Sequence, residues 1–184
     1  MSILPITIYG DKVLKEKTRP VTDIDSSLIK VVKDMFATMH NANGIGLAAN
    51  QVGVNKSLFV IDISDVEGYE KIKPVVMINP RIVLHSDEKV PMEEGCLSVP
   101  TLRAEVIRPK MIKVVYYDTD MKENSIEADE LFARVIQHEY DHLQGKFFTD
   151  RLNDELRKRV KKDLIEIKNR KVEVDYPITE KELV

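Results

Sequence analysis

Apolar residues recur at helical spacing in three stretches of this chain and fall into short strand-like runs between the first two. Leu28, Val31, Val32, Met35 and Met39 mark the inner face of a first helix that opens after Asp25, a suitable N-cap, and stops at Asn43-Gly44. Short β-type runs follow at 58–63, 75–78 and 81–84, the last two separated by Asn79-Pro80. Residues 104–108 and 111–117 read as further strands broken at Pro109, and the polar stretch 118–124 turns the chain into a short strand at 125–128. Leu131, Val135, His138 and His142 then share one helical stripe, with Asp129 and Glu130 at its start and Gly145 just past its end. A last helix spans about 153–171, its spacing set by Leu152, Leu156, Val160, Leu164 and Ile167. The remaining 172–184, with Pro177 and many charges, is expected to be loosely held. Helices flanking a run of strands, without a βαβ repeat, predict an α+β fold. Its short antiparallel or mixed sheets should pack around a central helix carrying His138–His142, with an N-terminal and a C-terminal helix.

Length and composition narrow the setting. The chain has 184 residues, 43% hydrophobic and 32% charged, which suits one globular domain with a substantial core. A formal net charge of −3 gives no global reason to expect DNA binding. No apolar run approaches the roughly 20 residues that span a membrane, and no signal peptide is apparent, so no membrane association is expected. The single cysteine agrees with a reducing compartment, and the cytoplasm is the expected location.

The stripe that faces the core carries the strongest chemistry. In His138-Glu139-Tyr140-Asp141-His142 the two imidazoles lie one turn apart and can grip a single cation. Glu139 is placed to act as a general base on a water at that cation. Such a histidine pair turned inward needs partners, and a metal satisfies both rings at once. A third protein ligand would leave one tetrahedral position open, the mark of a catalytic metal site.

Two other segments are candidates for the same site. In Gly44-Ile45-Gly46-Leu47-Ala48-Ala49-Asn50-Gln51 the glycines permit close backbone approach, and the Gln51 amide suits an oxyanion; a helix stop followed by a solvated loop is the competing reading. No full dinucleotide or phosphate-loop pattern is present. In Glu94-Gly95-Cys96-Leu97-Ser98-Val99-Pro100 the cysteine sits in a turn-like stretch and not within a periodic apolar run, which suits a thiolate ligand. The Leu97 N–H beside it could meet a substrate oxygen.

GIGLAANQ, EGCLS and QHEYDH, in this order and at these separations, resemble the three signature motifs of the peptide deformylase family, with the arrangement from Arg103 to Tyr117 closer to its type 1 subgroup. The resemblance runs from near the N-terminus to about Arg151. It implies a catalytic domain over 1–171 followed by a tail at 172–184. It also implies removal of the N-formyl group from formyl-methionine on nascent polypeptides, with release of formate. By resemblance, Cys96, His138 and His142 hold the metal, and Glu139 is the general acid/base. Gln51 and the Leu97 N–H hold the formyl oxygen, and Gly46 contacts the substrate. Arg103 matches a basic residue near the peptide cleft or is a solvated surface arginine. Leu131 and Val135 line a pocket for the methionine side chain or belong simply to the core. The implied cofactor is one divalent ion, Fe2+ in the cell, with Zn2+, Ni2+ or Co2+ able to replace it. The last helix, rich in Arg and Lys, either contacts ribosomal RNA phosphates or presents a solvated charged face. Two rivals stand beside this reading. One is a zincin-type metallopeptidase with Glu166 as third ligand, since no histidine follows His142. The other is a non-catalytic metal-binding adaptor, which would need neither Glu139 nor Gln51.

Overall fold

Asp25 opens the first helix as its side chain accepts the Leu28 N–H at 2.8 Å, satisfying a donor that the helix itself leaves free. In the computed structural model, which describes residues 1–181, helix α1 spans Ser26–Asn41. The chain then forms β1 (Gly46–Ala48), a 3₁₀ turn at Ala49–Val52, β2 (Leu58–Ile61) and β3 (Val75–His85). Strands β4 (Lys89–Cys96) and β5 (Val99–Pro109) follow, then β6 (Met111–Tyr117) and β7 (Glu123–Asp129). Helix α2 (Glu130–Leu143), a 3₁₀ turn at Phe148–Arg151 and helix α3 (Asp154–Lys168) complete the order.

The strands build two antiparallel sheets: five strands in the order β1-β2-β3-β6-β7, and the hairpin β4-β5. Strand β2 shows how the layers meet. All four of its residues are buried because Phe59 and Ile61 face α2 residues Ala133, Val135 and Ile136, while Leu58 and Val60 face α1 residues Val32, Met35 and Met39. A strand covered on both faces reads as a continuous apolar run. A third cluster joins β5 to α3 through Val99, Leu102, Val106, Phe147, Val160 and Ile167.

The structure differs from the sequence pattern at three places. Asn79-Pro80 does not interrupt the strand, because a register shift between Ile78 and Arg81 absorbs the proline as a bulge within β3. Asn79 adopts φ 48°, and its side-chain amide bonds both backbone groups of Val21, at 2.8 and 2.7 Å. Second, β1 and β4 are strands without a strand-like sequence pattern: β1 has only three residues, and β4 alternates with Pro91, Glu93 and Gly95 in place of a clear apolar face. Third, residues 172–181 are not loose. Val172, Tyr176 and Ile178 pack against the β5–α3 cluster, and Ile178 bridges to Ile6. The last three residues of the expected tail, 182–184, lie outside the described residues.

Candidate metal centre

Helix α2 carries His138 and His142 one turn apart, their ring centroids separated by 5.0 Å and their planes inclined at 77°. His142 is fully buried. Its Nε2 lies 3.1 Å from Cys96 Sγ, which arrives at the end of β4. A local irregularity delivers that sulfur. Gly95 pairs with Arg103 but Cys96 pairs with Val99, so β5 carries extra residues opposite this point and Thr101 is pushed to φ 66°. The cysteine therefore closes a strand hairpin, where the sequence had suggested only a turn-like stretch. Cys96, His138 and His142 each offer one ligand atom, and these atoms all lie within 4.8 Å of one another; no other such trio of His, Cys, Asp or Glu occurs among the described residues. One thiol and two imidazoles are a donor set for a single borderline-soft divalent cation, so the residues fit such an ion.

His138 is oriented from behind. Its Nδ1 lies 2.9 Å from Glu94 Oε2, which turns Nε2 toward the cysteine side. Glu94 also accepts from Arg108 Nε at 2.6 Å, Arg108 Nη2 at 2.9 Å and Arg134 Nη1 at 2.7 Å. Arg108 continues to Asp141 at 2.6 Å, and Asp141 to Arg151 at 2.5 Å. Burial opposes ionisation of Glu94, yet the bonds from Arg108 and His138 hold its carboxyl well below the usual carboxylate range. Burial draws the His142 imidazole well below its ordinary value, and the neighbouring His138 adds to this, so the ring is kept neutral as a ligand must be.

This charged ring of Glu94, Arg108, Arg134 and Asp141 escaped the sequence reading. In the chain these residues look like polar positions on solvated faces, whereas α2 buries Arg134, Gln137, Glu139 and Asp141 together with its apolar stripe. Glu94 and Asp141 lie inside the signature segments, the one signal that could have pointed to them.

Glu139 faces inward beside the trio and is 3% exposed, and its Oε2 has no hydrogen-bond partner. Burial pushes its carboxyl up to about 7, partly opposed by His138, so that it can hold or release a proton near neutrality. Strand β1 passes so close that a Cβ on Gly46 would stand 2.5 Å from Glu139 Oε1 and 2.9 Å from Val135 Cγ1. Gln51 is buried in the 3₁₀ turn. Its Oε1 accepts the Ala48 N–H at 2.8 Å, a bond that only the oxygen can make. Its Nε2 is thereby directed to Ser98 Oγ at 3.1 Å and Cys96 Sγ at 3.5 Å.

A cleft of about 520 Å³ opens over this group. Gly46, Gln51, Leu97, Leu131, Val135 and Arg103 line it together with Cys96, His138 and Glu139, so every candidate residue except the deeper His142 borders one space. Val135 is buried and Leu131 half-buried, which joins the two readings of this pair: they are at once core and cleft wall. Arg103 is exposed and stands 3.6 Å from Glu93.

A family model described as Polypeptide deformylase matches residues 3–158. The chain belongs to the polypeptide deformylase family. It is 45% identical over 178 residues to a peptide deformylase of Prosthecochloris aestuarii, covering 97% of this chain and 95% of that one. A crystal structure of a peptide deformylase from Legionella pneumophila superposes with a TM-score of 0.83 at 36% identity, covering 92% of this chain and 98% of that one. A peptide deformylase from Ehrlichia chaffeensis, in complex with actinonin, gives a TM-score of 0.83 at 41% identity, over 94% of this chain and all of that one (100%). The zincin reading loses its footing on two grounds: the family match, and the absence of Glu166 from the trio of donors.

Proposed function

We propose that this enzyme removes the N-formyl group from formyl-methionine at the N-terminus of nascent polypeptides, releasing formate. Within it, Cys96, His138 and His142 hold one divalent metal ion. The observation that carries the reading is the convergence of one sulfur and two imidazoles beside a buried glutamate with an unpaired oxygen, at the floor of a cleft. A cation held there would supply polarisation of a carbonyl and acidification of water, whose pKa such ions lower to about 7.

The protein's own groups carry the rest. Glu139 takes a proton from the attacking water and delivers it to the departing amine nitrogen as the C–N bond breaks, leaving formate and a free amino terminus. The Gln51 Nε2 and the Leu97 N–H donate to the formyl oxygen as it gains charge. Glycine at position 46 leaves room for the Glu139 carboxyl, and its backbone contacts the substrate near the scissile bond. Leu131 and Val135 receive the methionine side chain, and Arg103 stands at the rim where the following residues leave. The catalytic domain spans 1–171, with 172–184 as its C-terminal extension. Among the described residues no helix is long and apolar enough to cross a membrane, and the lone free thiol suits the reducing cytoplasm.

The test is formate release from formyl-methionyl peptides by protein purified without oxygen, with bound metal measured on the same sample. Glu139→Ala should retain metal and lose about 10²–10⁴-fold in kcat; substantial turnover by that variant rules out the proton transfer. We further propose Fe2+ as the cellular ion, with Zn2+, Ni2+ or Co2+ able to replace it. Oxygen should then inactivate the native enzyme and spare the nickel form; equal sensitivity would sink the iron assignment. Exposed Arg157, Lys158, Arg159, Lys161 and Lys162 on α3 support a transient contact with ribosomal RNA. Cosedimentation with ribosomes that fails even at low salt would remove it.

A further inference from the structure

Residues 172–181 lie beyond the matched family region, which ends at 158, yet Tyr176 reaches the cleft. Its hydroxyl donates to the Leu97 carbonyl at 2.9 Å. From the other end of the chain, the Tyr9 N–H donates to the Ser98 carbonyl at 2.8 Å. Leu97 and Ser98 are the two residues that join β4 to β5, so both carbonyls of that turn are gripped from outside the hairpin. The two grips are themselves linked. Ile6 forms a short parallel bridge with Ile178, its N–H donating to the Pro177 carbonyl and its carbonyl accepting the Thr179 N–H, each at 2.9 Å. Asp11 accepts from Arg170 at 2.6 Å and from the Thr179 hydroxyl at 2.8 Å. The same N-terminal segment holds Gln51, whose carbonyl accepts the Thr7 N–H at 2.8 Å.

We propose that Tyr176 is a positioning residue for the hydrolysis, its hydroxyl fixing the Leu97 carbonyl and thereby the aim of the Leu97 N–H at the formyl oxygen. This rests on the role given to Leu97 above. Cys96 pairs with Val99, so the preceding residue is already fixed, and the Leu97 side chain lies against Gly44. The Leu97 N–H belongs to the peptide before its Cα and the carbonyl to the peptide after it, so the strand pairing holds one side of the residue and the Tyr176 hydroxyl the other, and together they set the direction of the N–H. A donor of this kind works only where it is pre-aimed at the position of the developing charge, and small misplacements cost rate more than binding.

Tyr176→Phe removes the hydroxyl and keeps the ring, and two measurements on the full chain decide the matter. Amide hydrogen exchange at the turn, read at the Tyr9 N–H that donates to the Ser98 carbonyl, should accelerate about tenfold in the variant, because the turn opens more readily. The kcat for a formyl-methionyl peptide should fall about tenfold while KM stays within about twofold. Bound metal and thermal midpoint should match the parent, which a merely structural role would not allow. Unchanged exchange at the turn, a kcat within about twofold of the parent, or a loss of metal matching the loss of rate each overturns the proposal. A parent enzyme that releases no formate overturns the formyl-oxygen role of Leu97 itself, and exchange at the turn, which needs no turnover, separates that failure from this one.

Discussion

Gly46 shows how much of this site depends on a missing atom. The space that a Cβ would fill is already occupied by Glu139 Oε1 at 2.5 Å and Val135 Cγ1 at 2.9 Å. Neither neighbour can retreat easily, since Val135 and Glu139 both belong to the buried side of α2. Gly46→Ala is expected to displace the Glu139 carboxylate and lower kcat about 10²-fold, with metal content preserved. Steady-state formate release with metal analysis checks this, and an unimpaired Gly46→Ala enzyme would contradict the close packing. At the same scale, Gln51 gains its orientation from a single bond, the Ala48 N–H to Oε1, which leaves its amide nitrogen facing Cys96 and Ser98. A glutamine read from sequence has two equivalent orientations; the backbone of its own turn selects one.

Among the elements, α2 departs furthest from the ordinary surface helix. Its polar residues are buried because other segments supply their partners: Glu94 from β4 and Arg108 from β5 reach Arg134, His138 and Asp141. Removing one partner from such a ring leaves the others uncompensated, which is more costly than the ring is stabilising. Glu94→Gln loses the charge that orients His138 and faces both Arg108 and Arg134. Metal affinity, measured by competition with a chelator, is expected to fall about 10–100-fold. An unchanged affinity would show that His138 keeps its orientation without the carboxylate. Gly145 ends the same helix at φ 70°, where a Cβ would stand 2.4 Å from the Lys15 carbonyl oxygen, so the predicted helix stop is also a packing contact with the N-terminal segment.

Across the whole molecule, the chain ends act as ties between layers. Near the start, the buried Asp34 of α1 accepts the Ser2 N–H at 2.7 Å and pairs with Lys30. The Lys30 bond, then the Ser2 N–H, lower its pKa below the ordinary carboxylate value. A group depressed in the folded state contributes stability above its unfolded pKa, about 3.9, and that contribution disappears as pH falls through the folded value. Asp34→Asn is therefore expected to lower the thermal midpoint at pH 6, and the gap between variant and parent should close as pH is taken below about 4. A gap that stays constant with pH would assign the loss to packing and not to charge.

Much of this was readable along the chain. The His138–His142 pair with Glu139 and the first and last helices follow from local spacing, since side chains four residues apart on a helix meet whatever surrounds them, whereas Cys96 joins the ligands through the resemblance of its segment to the family motif. Residues 172–178 also carry a strand-like pattern: Val172, Val174, Tyr176 and Ile178 alternate with exposed Lys171, Glu173, Asp175 and Pro177, the period of an extended segment against a core. Pro177 and the density of charge masked it. What the sequence determined by itself was which atoms are chemically fit to hold a cation and move a proton, because that is a property of residue type and short-range geometry. Which charges are buried, that a bulge brings Cys96 to the histidines, and that both chain ends grip the Leu97–Ser98 turn were decided only by the tertiary structure. Each of these depends on partners scores of residues apart, and a buried charge or a held carbonyl is stable only once those partners have arrived.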